Sequence, residues 1–133
     1  MKLTNEQIEK AVVWWADRVA KPTFRALNDE ERKSPGNDGM KFAELLATMN
    51  VLPVTQEQRV KFMDALRAQL EIESMFGVLD YLSVDYGPCT VLSNAAKIAE
   101  ISENNFPWKT NMWFNDDGTV TVSLGYQGEQ VKL

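Results

Sequence analysis

Apolar residues recur first with a helical period. Ile8, Ala11, Val12, Trp15 and Val19 follow one another at three- and four-residue steps, which places them on one stripe of a helix, with Trp14 at the stripe's edge. Thr4 with Gln7 three residues on has capping-box spacing, so the helix is expected to start there. Lys21-Pro22 interrupts the pattern, because proline lacks an amide proton and disfavours helix in the residue before it. Residues 23 to 33 are charge-rich and compatible with a short helix, and Ser34 to Gly39 (SPGNDG) reads as an exposed loop. Phe42, Leu45, Leu46 and Met49 predict a second amphipathic helix ending near Asn50, before Pro53. Thr55 with Gln58 repeats the capping box and opens a third helix, about residues 56 to 71, with Phe62, Met63, Leu66 and Leu70 along one side.

After Gly77 the period becomes two. Residues 78 to 86 predict a strand with Leu82, Val84 and Tyr86 on one face and Tyr81, Ser83 and Asp85 on the other. Gly87-Pro88 then opens a fourth helix, rich in small apolar residues (Val91, Leu92, Ala95, Ala96, Ile98, Ala99) and suited to close packing on a sheet. Residues 108 to 114 and 119 to 126 predict a hairpin about the turn Asn115-Asp-Asp-Gly118. Trp108, Met112 and Phe114 share a parity with the apolar row Val120, Val122 and Leu124, while Lys109, Asn111 and Trp113 point the other way with Thr119, Thr121 and Ser123. The stretch between Tyr86 and Trp108 is long enough for a helical crossover. The expected fold is therefore α+β in the order α-α-α-β-α-β-β. It is a single domain over 1–133, with a helical part at about 4–71 and a three-stranded β-α-β-β part at about 78–127. The helices are expected on the apolar side of the sheet, although the pattern alone would also let the first three cover the polar side.

Composition narrows the chemistry. The chain of 133 residues has no histidine and one cysteine, Cys89, so a Ser-His-Asp or Cys-His site, a zinc cluster and an internal disulfide all lack their parts. No cofactor is expected. The formal charge of −5 is uneven: residues 1–50 carry eight charges of each sign, and residues 51–133 carry six basic and eleven acidic groups. That acidity disfavours direct binding of nucleic acid and favours a partner with a basic surface. The apolar runs are too short to span a bilayer and the start lacks the apolar core of a secretion signal, so the cytoplasm is the expected compartment and no membrane contact is expected.

The most suggestive constellation is the polar sheet face, where Tyr81, Asp85, Lys109, Asn111, Trp113 and Thr121 are the candidate partner-binding residues, with Ser123 beside them. An aromatic ring among hydrogen-bonding groups suits a protein contact, and the bland alternative is a solvated face with one Asp85–Lys109 pair and Trp113 tucked beneath the N-terminal helices. Asp80, Asp85, Asp116 and Asp117 could supply oxygen ligands to a metal, but Asp80 and Asp85 have opposite strand parity and Asp116-Asp117 is explained as turn chemistry. Cys89, expected as the second residue of a helix, could be a reactive thiol near a helix N-terminus, yet no histidine is available as its base. Trp14 is a core edge or an anchor for another chain.

The runs Ser83 to Pro88 (SVDYGP), Asn94 to Glu100 (NAAKIAE), Asn105 to Phe114 (NFPWKTNMWF) and Asp117 to Tyr126 (DGTVTVSLGY) resemble small bacteriophage and mobile-element proteins. A looser likeness extends to Val12 to Trp15 and Leu46 to Met49, with residues 23 to 38 resembling an insertion. The resemblance implies a viral or mobile-element origin and carries no site residue with it. By analogy with accessory proteins of that origin, the expected function is a non-enzymatic inhibitor that binds a host protein or ribonucleoprotein complex, such as a CRISPR effector, in the manner of anti-CRISPR proteins. The chain would act as a monomer or homodimer. The alternatives are a small ligand-binding domain or enzyme with a pocket between sheet and helices, and a phage assembly or regulatory protein.

Overall fold

A computed structural model describes residues 2–20, 53–77, 79–125 and 128–133. The expected features of residues 21 to 52, including the Ser34–Gly39 loop and the helix through Phe42 and Met49, lie outside the described residues, as do Val78 and Tyr126 at the ends of expected strands. The elements are α1 (Asn5–Ala20), α2 (Gln56–Phe76), β1 (Tyr81–Val84), α3 (Thr90–Ala99), a 3-10 turn (Glu103–Asn105), β2 (Thr110–Phe114), β3 (Val120–Ser123) and β4 (Gln130–Lys132). The class is α+β.

Both expected capping boxes form. The Gln7 amide donates to Thr4 Oγ1 (3.0 Å) while the Thr4 amide donates to Gln7 Oε1 (2.9 Å), and Thr55 and Gln58 do the same at the start of α2. The α1 stripe of Ile8, Ala11, Val12, Trp15 and Val19 is buried throughout. On α2 Phe62, Leu66 and Leu70 are buried and Met63 is half-buried, but the helix runs past the expected end at 71 to Phe76. It stops where Gly77 turns left-handed (φ 67°), a conformation glycine adopts without steric cost.

The two helices lie antiparallel in one register. The Leu3 amide donates to Ser74 Oγ (2.8 Å), Arg67 grips Glu9 through two hydrogen bonds (2.5 and 3.1 Å), and Arg59 donates to Asp17 (2.5 Å). Exposed ion pairs contribute roughly 0–1 kcal/mol each, so these pairs set alignment, and the buried apolar stripes supply the stability. The small residues Ala95, Ala96 and Ala99 are buried on α3, which packs chiefly against α2 rather than presenting its small side mainly to the sheet. Gln58 Nε2 reaches the Glu100 carbonyl (2.9 Å) and ties the start of α2 to the end of α3.

The sheet has four strands in the order β1-β2-β3-β4, every neighbouring pair antiparallel. The expected three strands become four because the expectation omitted β4, three exposed residues with no periodicity to read. The segment through α3 is a return connection between antiparallel neighbours and not a parallel crossover. Strand β1 also ends two residues early. The Val84–Pro88 bridge and the Cys89 amide bond to the Ser83 carbonyl (2.9 Å) fold the chain back through 85–87, so Tyr86 leaves the apolar face and is exposed. Pro88 therefore precedes α3, and Cys89 is its N-cap, half-buried and making no side-chain cap bond.

Leu82, Val84, Met112, Phe114, Val120 and Val122 face the helices and share one buried core with them. Its aromatic centre is Trp15 and Phe106 (centroids 6.1 Å apart) with Phe62 against Phe106 (6.0 Å). Asn105, fully buried, donates from Nδ2 to the Val19 carbonyl at the end of α1 (3.1 Å). Gln7, also buried, donates from Nε2 to the carbonyls of Asn115 (2.9 Å) and Thr119 (3.1 Å), and so clamps the β2–β3 turn to the first turn of α1.

Replacing Gln7 with alanine removes a cap and two bonds to the hairpin, for an expected loss of about 2–3 kcal/mol in urea unfolding with the m-value unchanged. Gln58→Ala removes the exposed counterpart and is expected to cost about 1 kcal/mol. A loss in Gln7→Ala no larger than the roughly 1 kcal/mol of a cap alone would show that the clamp on the hairpin contributes nothing.

Candidate functional site

The strand register assembles the outward face. Tyr81 on β1 lies opposite Trp113 on β2, Trp113 opposite Thr121 on β3, and Thr121 opposite Lys132 on β4. The adjacent row is Ser83, Asn111, Ser123 and Gln130. Cross-strand partners have Cβ atoms roughly 4.5–5.5 Å apart, so four of the six candidates, Tyr81, Asn111, Trp113 and Thr121, occupy a continuous surface of about two rows. The described helices share their core with the opposite face.

The side chains on this surface divide by what they already hold. Thr121 Oγ1 accepts a bond from Asn115 Nδ2 (2.8 Å), and Ser123 donates to the Gly128 carbonyl (2.9 Å), so both hydroxyls serve the hairpin and the β3–β4 link. Gly128 sits where a side chain could not: a Cβ there would lie 2.2 Å from the Leu124 carbonyl oxygen. Tyr81, Asn111 and Trp113 make no side-chain hydrogen bond among the described residues; Tyr81 is exposed and Asn111 and Trp113 are half-exposed.

Lys109 and Asp85 close one end of the face. Lys109 precedes β2 instead of belonging to it, and its backbone is left-handed (φ 55°), an uncommon conformation for a residue with a side chain. Its amide donates to the Asp85 carbonyl (2.9 Å), its ammonium donates to the Asp85 carboxylate, and Nζ lies 4.5 Å from the centre of the Tyr86 ring. The bond it donates to Asp85 holds the pKa of the Lys109 ammonium above the usual lysine range, partly opposed by desolvation and aided by the charge of Asp85. Trp108, expected on the apolar row, is half-buried and meets Tyr86 edge-on (5.2 Å), and Thr110 takes the buried position of that parity.

At the other end lies a cleft of about 450 Å3 lined by Asp80, Tyr81, Trp113, Phe114, Asn115 and Asp116. The Phe114 amide donates to the Asp80 carbonyl (2.9 Å), which keeps Asp80 beside the β2–β3 turn. Within the turn, Gly118 takes φ 87°, and Asn115 bonds Thr119 Oγ1 as well as Thr121. Asp117 accepts from both the hydroxyl (2.5 Å) and the amide (3.0 Å) of Thr119. Those two bonds hold the Asp117 carboxyl below the usual aspartate range, against some desolvation and with help from Lys132. The structural role of Asn115 and the convergence of Asp80 with Asp116 were not read from the sequence, since both depend on how the strand ends meet.

Asp80 and Asp85 fall at opposite ends of β1, and no group of three or more acidic, cysteine or histidine side chains among the described residues could hold a metal ion. Trp14 is half-buried, meets Trp15 edge-on (4.8 Å) and carries the Arg18 guanidinium over its ring (5.0 Å). Beside it a cavity of about 690 Å3 opens between α1 and the β3–β4 side of the sheet, lined by Trp14, Arg18, Val122, Val131 and Leu133 among others. The last turns of α2 expose Ile72, Met75 and Phe76, an apolar surface the expected helix end at 71 had left out. No described helix is long and apolar enough to cross a membrane. No family model matches the chain, and no curated protein matches it.

Because the folded pKa of Asp117 is lowered, its contribution to the turn is complete above the ordinary aspartate value of 3.8 and is lost as pH falls through the lower, folded value. Carboxyl carbon NMR should find Asp117 titrating below that value, and Thr119→Val should move its midpoint upward. An unchanged midpoint in the variant would remove the Thr119 bonds as the cause.

Proposed function

We propose that the chain works by binding, with its outward sheet face docked on a basic surface of another macromolecule. In a bacterial host that macromolecule is a defence complex, such as a nucleic-acid-guided effector, which the bound chain blocks. The carrying observation is the group Tyr81, Asn111 and Trp113, contiguous by register and holding no side-chain hydrogen bond among the described residues. Two adjacent aromatic rings beside polar groups suit a contact surface, since Trp and Tyr contribute large area for little rotamer entropy. The excess of acidic groups in residues 51–133 supplies the sign of the long-range attraction.

A second reading has one observation in its favour. Arg18 Nε is buried without a hydrogen-bond partner among the described residues, and Arg18 lines the cavity beside Trp14, a place where a small anionic ligand could pair with it.

Affinity capture of the tagged chain from bacterial lysate, with quantitative mass spectrometry, tests the first reading. A defence complex should be enriched, and Trp113→Ala or Tyr81→Ala should lower its recovery at least tenfold, which corresponds to about 1.4 kcal/mol. Ile98→Ala, on the exposed side of α3, should leave recovery unchanged. Recovery indifferent to both sheet-face variants, or turnover of a small metabolite with no macromolecule captured, would contradict it.

A further inference from the structure

The two edges of the sheet are finished differently. At β1 the outward-pointing backbone is covered by its own chain: the Cys89 amide donates to the Ser83 carbonyl (2.9 Å), and Pro88 bridges Val84. At β4, the other edge, Gln130, Val131 and Lys132 are all exposed and no proline interrupts them. Register fixes which of their backbone groups point where. The Leu133 amide donates to the Val120 carbonyl (2.8 Å), so by alternation Val131 bonds Val122, while the amides and carbonyls of Gln130 and Lys132 point away from β3. An exposed edge of this kind is a template for another strand.

We propose that β4 pairs edge to edge with β4 of a second copy, antiparallel about a two-fold axis at Val131, joining two four-stranded sheets into one. Outward groups on alternate residues call for an extended backbone as occupant, and this chain carries a segment that meets its own requirement. With Gln130 opposite Lys132 of the second copy, both pairs exchange backbone hydrogen bonds, and Val131 meets Val131 across the axis as a close, non-hydrogen-bonded pair. Setting Lys132 against Lys132 would oppose like charges. Setting Gln130 against Gln130 would pair Lys132 with Gly128, beyond the strand.

Side chains and charge agree with this register. Val131 is 53% exposed and lies on the helix side of the sheet, opposite buried Val122. Val13, 43% exposed, and half-buried Trp14 and Leu133 continue that apolar border along α1. Glu129 of the second copy falls opposite Leu133, whose carbonyl already receives the Lys10 ammonium (3.2 Å), so an acidic group arrives beside a basic one at each end of the pair. Lys132, on the outward side, lies 4.0 Å from Asp117 of its own chain. So short a strand buries less than a standard stable interface, which makes the dimer weak and concentration-dependent. The pairing does not depend on the binding role argued above, and it presents two Tyr81–Trp113 faces on one surface.

Sedimentation velocity of the full chain over a hundredfold range of concentration should show monomer giving way to dimer, and the Gln130 and Lys132 amides should gain protection from hydrogen exchange over that range. Val131→Asp and Val131→Lys each set like charges face to face at the axis and should weaken the dimer at least fivefold, whereas mixing the two variants should restore it as a heterodimer. Gln130→Pro removes an outward amide and should weaken the dimer as much, with continued protection of the Leu133 amide showing that β4 remains on β3. If the proline variant loses that protection, the charge variants, which alter only an exposed side chain, decide the matter. A chain monomeric over the whole range, a dimer equally tight in both charge variants, or no recovery on mixing would overturn the proposal. So would a dimer that leaves the Gln130 and Lys132 amides unprotected, since its contact lies elsewhere.

Discussion

Everything described in this molecule depends on a sheet of which the described residues bury only one face. Side chains alternate along a strand, so a row of Leu82, Met112 and Val122 turned toward the helices obliges Tyr81 or Ser83, Asn111 or Trp113, and Thr121 or Ser123 to turn away. Slippage by one residue would exchange the two sets and put the aromatic-polar surface into the core. Burial of the apolar row is thus also what presents the outward one.

A second constraint comes from Gln7. One side chain completes the helix cap and holds two carbonyls of the β2–β3 turn, more than a hundred positions away in the chain. The turn in turn carries Asn115, whose amide secures Thr119 and Thr121, and Asp116, which lines the cleft. The first helix therefore shapes the end of the outward surface through the turn that it holds. The ion pairs between α1 and α2 align the two helices, and the aromatic cluster of Trp15, Phe62 and Phe106 supplies the burial.

Periodicity made much of this legible. The α1 stripe, both capping boxes, the hairpin and the division of the sheet into an apolar and a polar face are local patterns, and each appears in the folded chain. Four misjudgements have other origins. Strand β4 is too short and too exposed to carry a pattern, and the end of α2 is set by Gly77 rather than by loss of amphipathicity. Tyr86 leaves its face because Val84 and Pro88 bridge, and Lys109 leaves the strand for a left-handed turn that delivers it to Asp85. The end of α2 and the departure of Tyr86 turn on backbone geometry within a few residues, whereas Lys109 is placed by a partner distant in sequence. The candidate surface was legible as residue types of one parity, whereas the cleft at its end was not, since Asp80 and Asp116 converge only once β1 and the β2–β3 turn are side by side.

The most direct measurement is paramagnetic solvent relaxation of the tryptophan indole protons with a soluble gadolinium chelate, first on the chain alone and then with its captured target. If the outward sheet face is the contact surface, Trp113 relaxes strongly in the isolated chain, fully buried Trp15 does not, and the target shields Trp113 while leaving Trp14 unchanged. Shielding confined to Trp14, or a Trp113 as protected as Trp15 from the outset, would contradict it.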